Sequence, residues 1–263
     1  MELLPHKSNL LTKIQTNYGD QASFFQQFYD EQYLPWHQQN MDLTETTKEA
    51  LTQRVHWLSS YLNVVDSINT TNCPDGKTPK WITAQSKFRP TVLEEFMFYL
   101  LKDCPALHKL GLTFTNKAVF VGMSINHQGS LVIKKKDVDC AIVKEDTLSF
   151  STGSVPVMVP LVAIEIKTYV DKTMWGEAQF TAQAIKRGNP SSYVYLMAET
   201  NSVALEELLP NSPVDELFIL RSHTGSAIDT ATVCNLYEEI NMVFTRVATK
   251  QLHQPPGKML HPE

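Results

Sequence analysis

Residues 131–168, LVIKKKDVDCAIVKEDTLSFSTGSVPVMVPLVAIEIKT, hold two aliphatic segments that carry charges in or beside them. Asp137 and Asp139 lead into the apolar residues CAIV, and Glu165 and Lys167 interrupt the segment LVAIEIKT. A near-continuous aliphatic segment is typical of a central, fully buried strand. A buried charge without a partner costs several kcal/mol, so something must offset the burial of these side chains.

The alternation of side chains along a strand predicts how these charges are arranged. Glu165 and Lys167 point to the same face as Leu161 and Ala163, and the isoleucines between them point to the other face. If the two segments are neighbouring strands, Asp139 converges with Glu165 beside Lys167. Mg²⁺ binds carboxylate oxygens and keeps several waters, and a lysine beside it can orient an attacking water and stabilise charge on a phosphate. The pattern therefore indicates metal-assisted hydrolysis of a phosphodiester.

The N-terminal third of the chain is predicted to be mostly helical. Asp42, followed by Glu45 three residues later, has the pattern of a capping box. Apolar residues then recur at spacings of three and four, which predicts an amphipathic helix over residues 43–68. We therefore interpret residues 1–85 as a helical N-terminal subdomain that serves DNA recognition or dimerisation.

A second helix is predicted to begin after Pro90, in the segment TVLEEFMFYLLKD. At about 100° per residue, Glu94 lies at the edge of its apolar face. Glu95 lies on the opposite side of the helix with Lys102. Only the first of these two glutamates is therefore expected to face the predicted sheet at its margin.

The remaining elements alternate between strands and helices. They comprise strands at 118–125, 131–143 (one bent strand), 161–168, 193–199 and 216–222, and helices at 173–187, 202–209 and 230–252. The apolar seam of the last helix packs either on its own sheet or on another subunit. This order predicts an α/β (α+β) fold, a mixed sheet flanked by helices. We divide it into the subdomain above, a core over 86–225, and a C-terminal helix and tail over 226–263.

The composition limits the classes of partner. The 263-residue chain has a net charge of −5 and a pI near 5.9, whereas proteins that coat nucleic acid without specificity are strongly basic. Any nucleic acid must therefore be held by a local basic surface, such as the clusters that contain Lys87 and Lys134–Lys136. No apolar segment reaches the roughly 18 residues of a membrane span. The scattered cysteines and the absence of a signal-peptide pattern predict a cytoplasmic protein.

The order of these residues resembles the signature of the PD-(D/E)XK nuclease superfamily. That signature is an aspartate, a spacer and then E-x-K on the next strand, after a helix that carries a glutamate. Asp139, Glu165 and Lys167 match the three motif positions, and Glu94 matches the helix glutamate better than Glu95. The resemblance implies that Asp139, Glu165 and Glu94 bind metal.

Two details of this match stay open. Val138 stands where the family has the proline of its name. Asp137 is therefore a rival to Asp139 for the motif aspartate. We prefer Asp139 because the apolar strand begins directly after it.

A narrower likeness covers more of the chain. The segments KFRPTVLEEFMFYLLKD, KKKDVDCAIV, PLVAIEIKTYVDKTMWGEAQ and KRGNPSSYVYLMAE resemble type II restriction endonucleases of the BbvCI kind, which cut sites built around a CTNAG-like core. This likeness implies sequence-specific cleavage of double-stranded DNA with Mg²⁺, and a methyltransferase in the same system. Cutting both strands implies a homo- or heterodimer.

Two other functions compete with this interpretation. One is a nuclease of the same fold that recognises DNA structure in repair or recombination, and the other is a DNA-binding subunit without catalysis. The helical N-terminal region disfavours the first because it suggests an added recognition surface. The intact set of Asp139, Glu165 and Lys167 disfavours the second. The sequence does not rank the candidate base-reading residues, which are Lys80, Lys87, Arg89, Asn126, His127, Gln128, Arg187, Asn189, Arg221 and His223.

Overall fold

The segment LVAIEIKT lies in the central strand of a five-stranded sheet, as its composition predicts. The structure is a computed structural model that describes residues 4–17, 19–71, 87–150, 153–204 and 212–249. Its strands are β1 (Thr113–Thr115), β2 (Val119–Ile125), β3 (Leu131–Lys136), β4 (Cys140–Phe150), β5 (Gly153–Val170), β6 (Tyr193–Asn201) and β7 (Glu216–Ile219). The order β1-β4-β5-β6-β7 combines antiparallel pairing of β4 with β5 and parallel pairing of β5 with β6, so the predicted mixed sheet is confirmed.

Helices cover both faces of this sheet. They are α1 (Pro5–Thr16), α2 (Asp20–Phe28), a π-helical turn (Tyr29–Tyr33), α3 (Leu34–Asp42), α4 (Lys48–Thr71), α5 (Pro90–Leu101), α6 (Pro105–Lys109), α7 (Lys172–Gly188) and α8 (Thr230–Ala248). The predicted helix at 202–209 and the end of the predicted last helix fall largely on residues outside the described ranges. Within those ranges, no helix combines the length and apolarity needed to cross a membrane.

The sheet separates two apolar layers. Val162, Ile164 and Ile166 pack in the layer that contains α1 to α5 and α8, whereas Ala163 packs in the layer with α7 and the start of β2. The alternation predicted for β5 is confirmed at these positions. The buried side chains of the N-terminal helices belong to the first layer, so they share one core with α5 and the sheet.

Leu161 departs from this alternation. We expect it on the face of Ala163, but it packs against the layer of Ile164 instead. The cause is a register shift between β4 and β5: Ile142 pairs with Val162 but the next residue pairs with Pro160, which leaves Leu161 as an extra residue. Such a bulge turns the residue out of the regular alternation.

The single bent strand predicted over 131–143 is wrong. Strand β3 ends at Lys136 and pairs with β2 in a separate two-stranded sheet, whereas β4 begins at Cys140 in the main sheet. Between them Val138 is buried in the α7 layer and anchors the crossing. The aspartates on either side of Val138 therefore lie in a short connection between two sheets.

The predicted start of the long N-terminal helix is also wrong. Asp42 is the last residue of α3, and α4 begins at Lys48, where the Thr47 hydroxyl accepts a hydrogen bond from the Ala50 N–H at 3.2 Å. The cause is a contact with a residue of the following helix. The buried Arg54 guanidinium donates to the carbonyls of Asn40 and Leu43, and these bonds hold the chain as a connection between α3 and α4.

The predicted helix after the E-x-K segment is confirmed as α7. A glycine at the end of a helix commonly terminates it by adopting a positive φ, but Gly188 does not have that role. It is the last helical residue and does not adopt a positive φ. A side chain at this position would place its Cβ 2.2 Å from the Val121 carbonyl carbon of β2. Gly188 is therefore required because α7 and β2 approach each other closely at this point.

The seam of α8 packs on its own chain, the first of the two alternatives. Val233, Leu236, Ile240 and Val243 are all buried in the first apolar layer. Val247, the last residue of the predicted seam, is 40% exposed instead of buried, and Met242, outside the seam, is 44% exposed. The seam itself is therefore not a free subunit interface.

Candidate active site

The motif residues meet where β4 ends against β5. Cys140, the first residue of β4, pairs with Ile164, and among the described strands none pairs with β5 on this side beyond that residue. The Asp139 carboxylate replaces the missing strand partner at this point, because its Oδ2 accepts a hydrogen bond from the Ile166 N–H at 2.7 Å. We call this open edge, formed by Asp139 and residues 165–167 of β5, the notch.

Glu165 and Lys167 occupy the same face of β5 at the notch. The Lys167 Nζ lies 3.5 Å from the Glu165 Oε2. Glu165 is only 8% exposed, so its charge is removed from most of the solvent. The prediction that Asp139 converges with this pair is confirmed by the hydrogen bond to Ile166, but Asp139 lies in the connection directly before β4 and not on the strand itself as predicted.

Glu94 reaches the same cleft from α5. It lines a cavity of about 770 Å³ together with Asp139 and Glu165. Burial raises the pKa of Glu94 to about 7, and the charge of Asp139 adds to the rise, whereas Lys87 and Lys167 oppose it. The structure therefore brings together all four residues that the sequence nominated.

Glu95, the alternative to Glu94, lies in the core. The wheel places it on the side of α5 opposite the apolar face, and the structure covers that side too, so Glu95 is 0% exposed. It accepts hydrogen bonds from the Tyr33 hydroxyl at 2.8 Å, the Tyr99 hydroxyl at 2.5 Å and the Lys7 backbone N–H at 3.0 Å. The wheel could not predict this burial because α5 is covered on two faces, by the sheet and by the N-terminal helices, whereas amphipathicity assumes one buried face.

Asp137, the alternative to Asp139, borders the same cavity but is exposed. Asp139 is half-buried and is hydrogen-bonded to the edge of β5. Its carboxylate is therefore fixed next to Glu165, and that of Asp137 is not fixed by any hydrogen bond to a described residue.

The notch concentrates negative charge. The pKa of Glu165 lies above its usual value, first because of burial and then because of Asp139, while Lys167 and Lys136 oppose the rise. Carboxylates that share a desolvated cleft resist ionising together. A cation relieves this repulsion directly.

The donor set suits a hard cation that keeps water. Within the described ranges, no three histidine, cysteine, aspartate or glutamate side chains stand close enough to form a cage for a metal ion. Mg²⁺ is commonly bound by one or two carboxylates with several waters retained. Asp139 and Glu165 fit that pattern, with water completing the coordination.

Two lysines that the sequence placed only in basic clusters also face the cleft. Lys87 lines the large cavity and adopts a φ of +56°, a conformation that residues other than glycine rarely take. Lys136 lines this cavity and also a second one of about 400 Å³ that contains Lys167 and Phe180. The one signal for Lys136 in the sequence is its position directly before the two aspartates.

Several candidate base-reading residues form hydrogen bonds within the protein, which makes them unsuited to contact bases. Arg89 and Arg221 bind the buried Glu199, the Asn189 amide donates to the Pro160 carbonyl, and the Asn126 carboxamide oxygen accepts two N–H groups of its own turn. His127, Gln128 and Arg187 remain exposed. Lys80 lies outside the described residues.

Comparison with known proteins places this geometry in context. The sequence model of the family described as "Bpu10I restriction endonuclease" matches residues 85–244. The chain is similar to a structure described as "native BbvCI A2B2 tetramer at low resolution", with 19% identity, a TM-score of 0.67, and coverage of 97% of this chain and 100% of that chain. A weaker likeness, with a TM-score of 0.39 and 10% identity over 93% of this chain and 94% of the other, is to a PspGI restriction endonuclease bound to substrate DNA. None of the curated proteins matches this chain.

Proposed function

The chain belongs to the Bpu10I restriction endonuclease family and is therefore a type II site-specific deoxyribonuclease; on this premise we propose that it hydrolyses double-stranded DNA in a Mg²⁺-dependent reaction at the notch. Asp139 and Glu165 are the proposed direct metal ligands, Glu94, which lines the same cavity, is proposed as an additional ligand that would act through a retained water, and Lys167 is the catalytic lysine. The resemblance inferred from the motifs is confirmed at the level of the family, and the BbvCI likeness supports the fold.

One observation carries this proposal. The Asp139 carboxylate is hydrogen-bonded to the backbone of Ile166, the residue between Glu165 and Lys167. This contact fixes the first carboxylate beside the second and beside the lysine. Burial and then the charge of Asp139 raise the pKa of Glu165, and Lys167 and Lys136 offset only part of that rise.

The protein side chains have distinct roles in this reaction. A bound Mg²⁺ would supply Lewis acidity toward the phosphate and the attacking water. Asp139 and Glu165 hold the ion at the open edge of β5. The Lys167 ammonium, 3.5 Å from Glu165, orients the attacking water and stabilises the negative charge that develops on the phosphate. Glu94 closes the cleft from the side of α5.

The proposed partners follow from the same reaction. Double-stranded DNA is the substrate, and a second subunit is needed because one notch cuts one strand. The BbvCI structure is described as an A2B2 tetramer, which supports an assembly of several subunits. Whether that partner is a second copy or a different chain is answered by sedimentation of the purified protein.

A plasmid digest tests the proposal. With Mg²⁺, the wild type should give discrete bands, and run-off sequencing of the ends should give one recognition sequence and one stagger. Lys167→Ala should bind the same duplex but not cut it. Cutting only at junctions or flaps would instead indicate a structure-specific nuclease, and full cleavage by Lys167→Ala would refute the proposed mechanism.

A further inference from the structure

Strands β2 and β3 form a basic arm on an acidic protein. Residues 117–136, which we call the ribbon, contain four lysines and neither aspartate nor glutamate, although the chain as a whole has a net charge of −5. The lysines are Lys117, Lys134, Lys135 and Lys136. The excess of acidic residues therefore lies elsewhere, and the ribbon is the segment that suits a polyanion.

The ribbon is fixed at its base and free at its tip. At the base, Val119 is completely buried, and Gly188 of α7 packs against the backbone of Val121. At the tip, Ile125 is 72% exposed and Leu131 is 43% exposed. Hydrogen bonds from the Gln128 and Ser130 N–H groups to the Asn126 side chain shape the turn. A rigid two-stranded arm thus projects from the sheet.

The base of the ribbon is part of the candidate active site. Lys136 lines both cavities that border Glu165, and the two aspartates of the cleft follow it directly in the chain. The charge of Lys136 acts on Glu165, where it opposes the rise in pKa that burial causes. Lys135 faces away, into a different cavity with Lys117 and Glu145. Of the two neighbouring lysines, only Lys136 can therefore reach a phosphate held at the notch.

The dimensions of the ribbon fit the major groove of DNA. A strand rises about 3.4 Å per residue, so the tip at Leu131 lies roughly 17 Å from Lys136. This span equals about five steps of duplex DNA at 3.4 Å per step. The major groove admits a two-stranded ribbon, and glutamine pairs with adenine while apolar side chains contact the thymine methyl group.

We propose that the ribbon lies in the DNA major groove, with Lys136 on a backbone phosphate at the notch and with His127 and Gln128 at base edges near the tip. The proposal rests on the proposed nuclease function. It assigns a phosphate-binding residue and a specificity-determining turn. The exposed apolar tip would suit a protein partner equally well, but the four lysines favour DNA.

Salt-dependent binding tests the phosphate contact without cleavage. A duplex of about 30 base pairs that carries the mapped site is titrated in EDTA at several salt concentrations. Lys136→Met should reduce the slope of log K against log [salt] by about 0.9, the effect of one lost phosphate contact. Lys136→Arg should keep the slope. Lys109→Met is the matched control, because Lys109 is an exposed lysine at the end of α6, outside both the ribbon and the N-terminal region.

Cleavage patterns test the tip. His127→Ala and Gln128→Ala should give run-off ends at sites that differ from the wild-type site at one or two base pairs. Asn235→Ala, an exposed change on α8, should leave the pattern unaltered. If these variants cut DNA at the wild-type sites and bind with the wild-type salt slope, the ribbon assignment is wrong, whereas the proposed nuclease function stands.

Two further outcomes separate this proposal from its rivals. If the wild type binds DNA with a slope that falls in Lys136→Met but never cuts, the ribbon assignment stands and the proposed function fails. If Ile125→Ser dissociates an oligomer in sedimentation while binding slopes and cleavage sites stay the same, the ribbon is a subunit interface. That result would overturn DNA binding by the ribbon.

Discussion

Two groups of buried charges in this protein differ in their balance. The first group consists of Asp139 and Glu165 at the notch and Glu94 in the same cavity, and among the described residues its one close ion pair is a 3.5 Å contact between Lys167 and Glu165. A second group, which we call the ionic cluster, holds Asp66, Arg89, Glu199 and Arg221, with contacts between 2.5 and 3.0 Å.

The difference in charge balance distinguishes a group of charges that can bind a ligand from a group that stabilises the fold. The ionic cluster has two acids and two arginines, so it neutralises itself, and it joins α4 and the start of α5 to the ends of β6 and β7. The notch has a surplus of carboxylates and an open edge of backbone. Buried charge that is paired stabilises an arrangement of the chain, and buried charge that is left in surplus is available to a ligand.

The largest expected effect is at Asp139. Asp139→Asn keeps an oxygen that can accept the Ile166 N–H but removes a charge from the notch. We expect cleavage to fall about 10⁴-fold, or about 5 kcal/mol of transition-state stabilisation. The free energy of unfolding without metal should not fall, because repulsion toward Glu94 and Glu165 is relieved. Single-turnover cleavage and urea denaturation measure the two quantities.

Asp137→Asn is the matched control for this change. It removes an equal charge from an exposed residue of the same cavity. Cleavage should stay within about tenfold of the wild type. If the two results are reversed, Asp137 is the motif aspartate and the hydrogen bond of Asp139 to Ile166 is only structural.

A substitution in the ionic cluster should lower the free energy of unfolding, in contrast to the loss of cleavage expected at the notch. Glu199→Gln removes one of the two carboxylates that Arg89 and Arg221 share, at a position that is 1% exposed. Removing one partner of a buried pair costs about 3–5 kcal/mol of unfolding free energy. Lys186→Met, which breaks the half-exposed pair with Asp215, should cost less than about 1 kcal/mol. Equal losses from these two variants would mean that the cluster is hydrated.

Sequence alone predicted the part of this site that lies on one strand. Glu165 and Lys167 share a face because alternation is local, and the pairing of β4 with β5 follows from two adjacent aliphatic segments. The burial of Glu95 could not be predicted, because its partners Tyr33 and Lys7 are 62 and 88 residues away. The break between β3 and β4 was missed for a similar reason, since their neighbours β2 and β5 decide it.

The two glutamates of α5, Glu94 and Glu95, allow the same comparison of catalysis with stability within one helix. Glu95→Gln replaces a carboxylate that accepts from two tyrosine hydroxyls and one N–H group with a weaker acceptor, so unfolding should become about 1–3 kcal/mol easier. Glu94→Gln should not destabilise the protein, because burial and Asp139 already disfavour its charge. Cleavage should be impaired only in Glu94→Gln. A loss of cleavage in a fully folded Glu95→Gln would contradict this division.

His6 shows a third state of a buried titratable group, one that is kept neutral. It lies in α1 between the Tyr61 hydroxyl at 2.7 Å and the Thr91 hydroxyl at 3.1 Å, and burial lowers its pKa from 6.5 to about 3. The unfolded chain therefore takes up a proton below about pH 6.5 that the folded chain does not. Stability should fall by about 1.4 kcal/mol per pH unit between pH 6 and pH 4 from this group.

Urea denaturation of the wild type and of His6→Phe at pH 7, 6 and 5 isolates that contribution. His6→Phe loses two hydrogen bonds and should be less stable at pH 7, but the difference between the two proteins should shrink as the pH falls. Burial raises the pKa of Glu94 to about 7 and also raises the pKa of Glu165, but the contributions of these groups are present in both proteins and cancel in the difference. A constant difference across these three pH values would show that His6 is protonated in the folded protein. The packing of α1 beside the notch would then rest on a charge, as the ionic cluster does.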